Sequence, residues 1–143
     1  KPGVAATLAR AAEAGVTNLR LCQLDAAWAL REAFSPGEIG ELLTFFPDPW
    51  HKARHHKRRL ITAEFARLAA DRVAADGQWR IATDWPDYAD HIGEAMSAVA
   101  ELWTGGPCPR WEDRPVTKFE RRGLAEGRPI TDFCFRRTEL PPH

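Results

Sequence analysis

The sequence predicts an α/β domain built on a mainly parallel sheet. Short β-like apolar stretches alternate with stretches of helical period along the chain, the pattern of strands joined by crossover helices. Three aspartates, Asp25, Asp48 and Asp84, each sit directly behind a predicted strand. In an open α/β sheet that address is the carboxyl edge, where ligands bind. The chain has 143 residues, 44% hydrophobic and 28% charged, so one domain of ordinary size can bury a core.

The elements follow in order. Val4, Leu8, Ala11 and Ala12 recur at helical spacing, and Gly15 is a natural stop. Residues 19–24 read as a short strand ending at Asp25, and residues 26–34 as a helix closed by Ser35-Pro36-Gly37. A second strand spans 39–46, carries Gly40, and runs into Pro47-Asp48-Pro49. Ile61, Phe65, Leu68 and Ala69 mark one face of a helix that Thr62 caps and Asp76-Gly77 ends. Residues 79–83 form a third strand. Pro86 then takes the first position of a helix behind Asp84 or Trp85, with Tyr88, Ile92, Ala95, Met96 and Val99 as its apolar face. Residues 104–109 read as a Gly/Pro-rich loop. Thr117 opens a short helix that Gly123 or Gly127 stops, and residues 130–136 form a final strand. No repeat, low-complexity tract or internal boundary divides residues 1–143.

Net charge is +0, Lys+Arg 20 against Asp+Glu 20, which excludes a globally basic polyanion binder. Cys22, Cys108 and Cys134 are odd in number and far apart, so neither a disulfide framework nor a zinc ribbon is indicated. No apolar run approaches a membrane span, and no signal peptide is visible. The chain lacks an initiator Met and opens inside a crossover helix, so a C-terminal fragment of a longer protein is expected.

The most informative stretch runs from Phe46 to Arg59. Pro47 and Pro49 fix their own φ and push Phe46 and Asp48 toward extended geometry, presenting Asp48 on a stiff turn. Lys52, Arg54, His55, His56, Lys57, Arg58 and Arg59 follow at once, a local cationic run suited to a polyanion. The same cations disfavour a metal site at His51, His55 and His56, and no metal is expected. His91 reads as a helix-surface residue. Among the tryptophans, Trp28, Trp79 and Trp103 read as core, while Trp50 and Trp85 adjoin Asp48 and Asp84 and are candidates to stack on a nucleic-acid base. Thr117 and Glu120 have the spacing of a capping box, a role compatible with a further contact at the same helix end. Asp84 is likewise a helix-cap candidate.

The stretch 46–59 closely resembles the signature of the bacterial tRNA (guanine-N7)-methyltransferases. Ala82-Thr83-Asp84-Trp85 through His91, and Arg114-Pro115-Val116-Thr117-Lys118-Phe119-Glu120-Arg121-Arg122-Gly123, resemble the same family in the same order, so the likeness covers nearly the whole chain. It implies a Rossmann-like class I methyltransferase fold, truncated at its N-terminal side, that moves a methyl group from S-adenosylmethionine to N7 of a guanosine in the tRNA variable loop. It also implies tRNA as partner and a cytoplasmic setting. Carried over residue by residue, Asp48 is the catalytic or donor-proximal acid and Asp25 lies near the donor's adenine end. Lys52 and Asp84 contact substrate, with Thr117, Lys118, Phe119 and Glu120 as the late substrate-binding tetrad. Arg54, His55, His56, Lys57, Arg58 and Arg59 form the RNA-contact segment.

The chain departs from the family at the donor side. No Gly-x-Gly occurs, and the acid expected on the donor ribose is missing, so residues 1–143 are expected to carry the acceptor half and to be inactive alone. The rival readings are a non-catalytic tRNA-binding fragment and a Rossmann-like methyltransferase with another substrate. Oligomeric state is not legible in the sequence.

Overall fold

The computed structural model describes residues 2–139. Along the chain come α1 (Pro2–Glu13), α2 (Ala26–Ala33), β1 (Ile39–Phe45), a 3-10 helix (Ala53–Arg58), α3 (Ala63–Arg72), β2 (Val73–Thr83), α4 (Pro86–Ser97), β3 (Trp103–Cys108), α5 (Lys118–Ala125) and β4 (Thr131–Arg137). The strands form one sheet in the order β1-β2-β4-β3. β1 and β2 are parallel, and β4 runs antiparallel between β2 and β3. The carboxyl ends of β1 and β2 and the amino end of β4 therefore share one edge.

Strand alternation sorts the residues onto two faces. Trp79 and Ile81 of β2 oppose Phe135 and Phe133 of β4, and all four are buried. On them pack Phe65, Ala66, Ala69 and Ala70 of α3 and Tyr88, Ile92 and Met96 of α4. The polar edges of the core aromatics are satisfied, as burial requires. Trp79 Nε1 donates to Thr44 Oγ1 at 3.0 Å and Trp103 Nε1 to the Ala66 carbonyl at 3.0 Å. The Tyr88 hydroxyl accepts from the Ile61 amide at 3.1 Å, pinning α4 to the start of α3. Burial pushes the Tyr88 phenol above its usual value.

Most predicted elements are present, and their ends have the expected chemistry. Thr62 accepts from the Phe65 amide and Thr117 from the Glu120 amide. Pro86 occupies the first turn of α4, whose cap is Trp85. Four expectations about elements and core are corrected, and the sheet expected to be mainly parallel has, among the described residues, one parallel and two antiparallel pairings. Residues 19–24 form no strand; they pair with no described strand, and Leu19, Leu21 and Leu24 are exposed. The α3 helix ends at Arg72 rather than at Asp76-Gly77, which lie inside β2 where its register on β1 shifts. The stretch expected as a Gly/Pro loop is the edge strand β3, where proline is tolerated because one side of the backbone has no partner strand. Trp28, expected in the core, is 49% exposed.

Gly105 makes that strand possible. Its φ is +125°, and a Cβ there would lie 2.1 Å from the Cys134 carbonyl oxygen. Gly105→Ala is expected to cost about 3 kcal/mol or more, because an L side chain is disfavoured there and the obstacle is backbone. A drop in the urea midpoint at unchanged m-value would report it.

Candidate active site

Parallel pairing carries β1 and β2 to the same edge, with Phe45 beside Ala82. The Phe46 amide makes a further bond, 2.8 Å to the Ala82 carbonyl, and the chain then breaks away through Pro47-Asp48-Pro49. Phe46 has φ +52° and Trp50 φ +45°, so the turn is bracketed by two non-glycine residues in the left-handed region. Phe46 is thus neither helical nor extended, unlike the sequence expectation. Such conformations persist where surrounding structure over-determines them. Asp48 Oδ1 accepts from the Trp50 amide at 2.9 Å, which orients the carboxylate.

Arg59 supplies part of that determination. It is buried, donates through Nε to the Pro49 carbonyl at 2.6 Å, and donates through Nη2 to Asp87 Oδ2 at 2.6 Å. Its guanidinium lies 5.0 Å from the Tyr88 ring centroid. The Asp87 carboxyl is held below its usual value, chiefly by this hydrogen bond. The proline turn is therefore strapped to the first turn of α4.

At the end of β2, Asp84 is 8% exposed and meets Arg128, whose Nε and Nη2 lie 2.9 and 2.8 Å from its Oδ2. The Arg128 guanidinium also covers the Trp85 ring at 4.8 Å, and His51 meets the same indole edge-on at 4.0 Å. Gly123 of α5 lies against the acid, where an added Cβ would come within 3.0 Å of Asp84 Cβ and Oδ2. Asp48, Asp84, Trp85, His51 and Phe119 line one cleft of about 510 Å³. Phe46, Pro47, Pro49, Arg122, Glu126 and Arg128 complete its lining.

Beneath the cleft lies a buried ion cluster. Arg114 donates Nη1 to Glu120 Oε1 at 2.6 Å and Nη2 to Asp132 Oδ1 at 2.9 Å, with a second bond to each acid. Arg110 adds two bonds to Glu120 at 3.0 and 3.2 Å. The Arg114 guanidinium lies 5.7 Å from both the Phe45 and Phe46 rings. The Glu120 carboxyl is held below the usual carboxylate range, first by the Arg110 hydrogen bond and further by Arg114, against the opposing effect of burial.

The residues singled out from the sequence divide into groups. Asp48, Asp84 and Phe119 meet in the cleft. Asp25 does not: its carboxylate caps α2 by accepting from the Trp28 amide, and it lines a separate groove with Lys57, Arg58 and Thr62. Because residues 19–24 form no strand, Asp25 does not end one. Thr117 caps α5, Lys118 is exposed beside the Phe119 ring, and Glu120 turns inward to Arg114 rather than back to the cap. Lys52, Arg54, Lys57 and Arg58 are exposed, His55 and His56 half-buried, and Arg59 buried. Trp50 packs on His55 and Arg58 and lies outside the cleft lining. His91, expected at the surface, is half-buried with Nε2 2.8 Å from the Ile61 carbonyl. Sequence reasoning missed Arg128, His51 as a cleft residue, and the Arg114 cluster. The signal for Arg128 was its place just after Gly127, a helix-stop position. Among the described residues, no group of three or more His, Cys, Asp or Glu is arranged to hold a metal ion, and no helix is long and apolar enough to cross a membrane.

The sheet with its reversed strand and a ligand cleft at the carboxyl edge belongs to the Rossmann-like methyltransferases. A solved rRNA methylase from Streptococcus thermophilus superposes with a TM-score of 0.57 at 14% identity, over 97% of this chain and 69% of that one. The family described as "Putative methyltransferase" matches residues 1–133. A tRNA (guanine-N(7)-)-methyltransferase of Nocardioides sp. is 56% identical over 96% of this chain and 55% of its own length. The protein of the same name from Aliivibrio salmonicida is 47% identical over 96% and 59% respectively. The chain belongs to this tRNA (guanine-N7)-methyltransferase family. It spans a little over half the length of these curated relatives.

The cluster has a pH signature. A folded-state value below the unfolded one means that Glu120 stabilises the fold fully above its ordinary pKa of about 4.3, and that this is lost as pH falls through the depressed value. Melting temperature should therefore drop on acidification below about pH 4. Glu120→Gln should flatten part of that limb and cost about 3 kcal/mol at neutral pH, because it leaves buried cations short of a partner.

Proposed function

We propose that the whole protein transfers a methyl group from S-adenosylmethionine to N7 of a guanosine in the tRNA variable loop, and that residues 1–143 form the acceptor-binding part of its single methyltransferase domain. The observation that carries this reading is the meeting of Asp48 and Asp84 in one cleft, directly followed in sequence by an exposed cationic segment. The relatives' names support the same activity.

The chemistry suits the residues. Bound S-adenosylmethionine supplies an electrophilic methyl on a sulfonium. Guanine N7 already carries an in-plane lone pair, so no strong base is needed, and the protein's task is alignment. Positive charge builds on the purine during transfer, and a fixed Asp48 carboxylate beside it stabilises that charge without reorganising. Asp84 accepts from the N–H groups of the guanine edge. Trp85 and Phe119 offer flat apolar walls to the base. The resemblance of its turn to the family signature supports Asp48 as the residue that faces the donor. Asp25, in a different groove, does not line this cleft, and with no Gly-x-Gly in the sequence the described residues make no complete donor pocket. The chain alone is accordingly taken to be inactive, and the reaction to be cytoplasmic, where tRNA is.

The RNA cradle divides by burial. Lys52, Arg54, Lys57 and Arg58 are free to meet phosphates, His55 and His56 lie at their margin, and Arg59 holds the turn from inside.

Asp48→Asn in the whole protein should abolish most methylation, by about 100-fold or more, while tRNA affinity stays within about threefold. Equal turnover would remove the catalytic assignment, and chemical cleavage at N7-methylguanosine would report the product position. Separately, tRNA affinity should fall linearly with salt on a log–log plot. Replacing both Lys57 and Arg58 by Ala should reduce that slope by about 1.5, since each phosphate contact contributes roughly 0.7–0.9. An unchanged slope would take these two cations out of the interface.

A further inference from the structure

We propose that Arg128 is a positioning residue for guanine recognition: it grips one oxygen of Asp84 so that the other faces the cleft as a fixed acceptor for the exocyclic N2 amino group. The inference rests on the tRNA guanine-N7 reading above and extends it to a residue outside the motifs.

The end of α5 sets Arg128 in place. Gly127, at φ +75°, reverses the chain there; its amide donates to the Leu124 carbonyl at 3.0 Å, and the Arg128 amide donates to the Gly123 carbonyl at 2.8 Å. This is a Schellman cap, which holds the backbone of the residue after the glycine against the helix. From that anchor the side chain reaches back to Asp84, with Nε and Nη2 at 2.9 and 2.8 Å from Oδ2. The third nitrogen, Nη1, pairs with Glu126. The flat of the guanidinium lies 4.8 Å from the centroid of the Trp85 ring, which lines the same cleft. Both terminal nitrogens and Nε are engaged, so the guanidinium cannot swing without breaking several contacts at once.

The consequence for Asp84 is asymmetric. Both Arg128 bonds fall on Oδ2, and no described residue donates to Oδ1. No buried side-chain oxygen among the described residues lacks a partner, so Oδ1 is open to the cleft. Gly123 permits this close approach of α5, since a Cβ there would stand 3.0 Å from Asp84 Cβ and Oδ2 and make the side chain give by a few tenths of an ångström. A carboxylate gripped at one oxygen and packed against a helix has one acceptor left, with a set direction. The N2 amino group separates guanine from hypoxanthine while leaving N7, O6 and N1–H the same. Once a base fills the cleft, Oδ1 is cut off from water, so a base lacking that group leaves the acceptor unpaired and is penalised.

The test compares methylation of two tRNA transcripts by the whole protein, one with guanosine and one with inosine at the acceptor position. The wild type is expected to prefer guanosine by at least about tenfold in kcat/KM. Arg128→Ala should bring that ratio to within about threefold of unity by lowering the guanosine value, with the inosine value little changed. Millimolar guanidinium ion should restore part of the preference in this variant, and Arg128→Lys should be intermediate. Gly123→Ala crowds the same Asp84 side chain from α5 and should lower the preference too, while its melting temperature holds, since Ala favours helix over Gly. A general loss of folding would lower both transcripts together and leave the ratio standing. An unchanged ratio in Arg128→Ala, or a wild type indifferent to the amino group, overturns the proposal. A wild type that methylates neither transcript removes the functional reading on which it rests.

Discussion

Arg114 is the residue on which the carboxyl edge depends. Its side chain is fully buried, and it binds the first turn of α5 through Glu120 and the start of β4 through Asp132. α5 is short and has Glu120 and Gly123 as its buried residues, so this pairing carries much of its attachment to the sheet. A buried guanidinium between two carboxylates is weak evidence of net stability, because desolvation offsets much of the attraction. Its value lies in registry. Breaking any member leaves an uncompensated buried charge, so α5 has few alternative positions on the sheet. Gly123 and the cap that carries Arg128 inherit their placement from that constraint.

The second constraint acts on the proline turn. Left to themselves, Phe46 and Trp50 would avoid positive φ. The Phe46 amide is held by β2, the Phe46 ring lies near Arg114, the Pro49 carbonyl is held by Arg59, and the Trp50 amide by Asp48. Each end of the turn is thus tied to a different part of the core. A carboxylate on such a turn keeps a fixed direction. Electrostatic catalysis requires this, and a carboxylate on a mobile loop does not provide it.

Local signals made most of the fold legible in the sequence. Thr62, Thr117, Pro86 and Gly127 mark helix ends by backbone chemistry that works wherever the helix sits. The failures share a cause in tertiary context. Residues 19–24 have strand composition, but a strand exists only with a partner, and none of the described strands lies beyond β1. Residues 103–108 have loop composition, but an edge strand tolerates proline, and Gly105 admits the close backbone of β4. At the site, Asp48 and Asp84 were legible because their position depends only on strand ends. Asp25 was placed beside them on the strength of a strand that does not form. Arg128 and Arg114 were not legible as partners of acids, because their pairings cross 44 and 18 residues of sequence.

The neutral net charge takes on meaning once the pairings are known. Arg59, Arg110, Arg114 and Arg128 each face an acid inside the fold or at its margin. Their charges are compensated at short range and contribute little to the field outside. Lys52, Arg54, Lys57 and Arg58 have no acid paired with them among the described residues, although Arg54 and Arg58 make contacts to a histidine and a tryptophan. A polyanion approaching from solvent therefore meets a cationic segment on a protein whose overall count is balanced. The segment begins immediately after the proline turn, so only a short stretch of chain separates it from Asp48. A net charge of zero and a locally cationic segment are compatible because Arg59, Arg110, Arg114 and Arg128 work as internal struts.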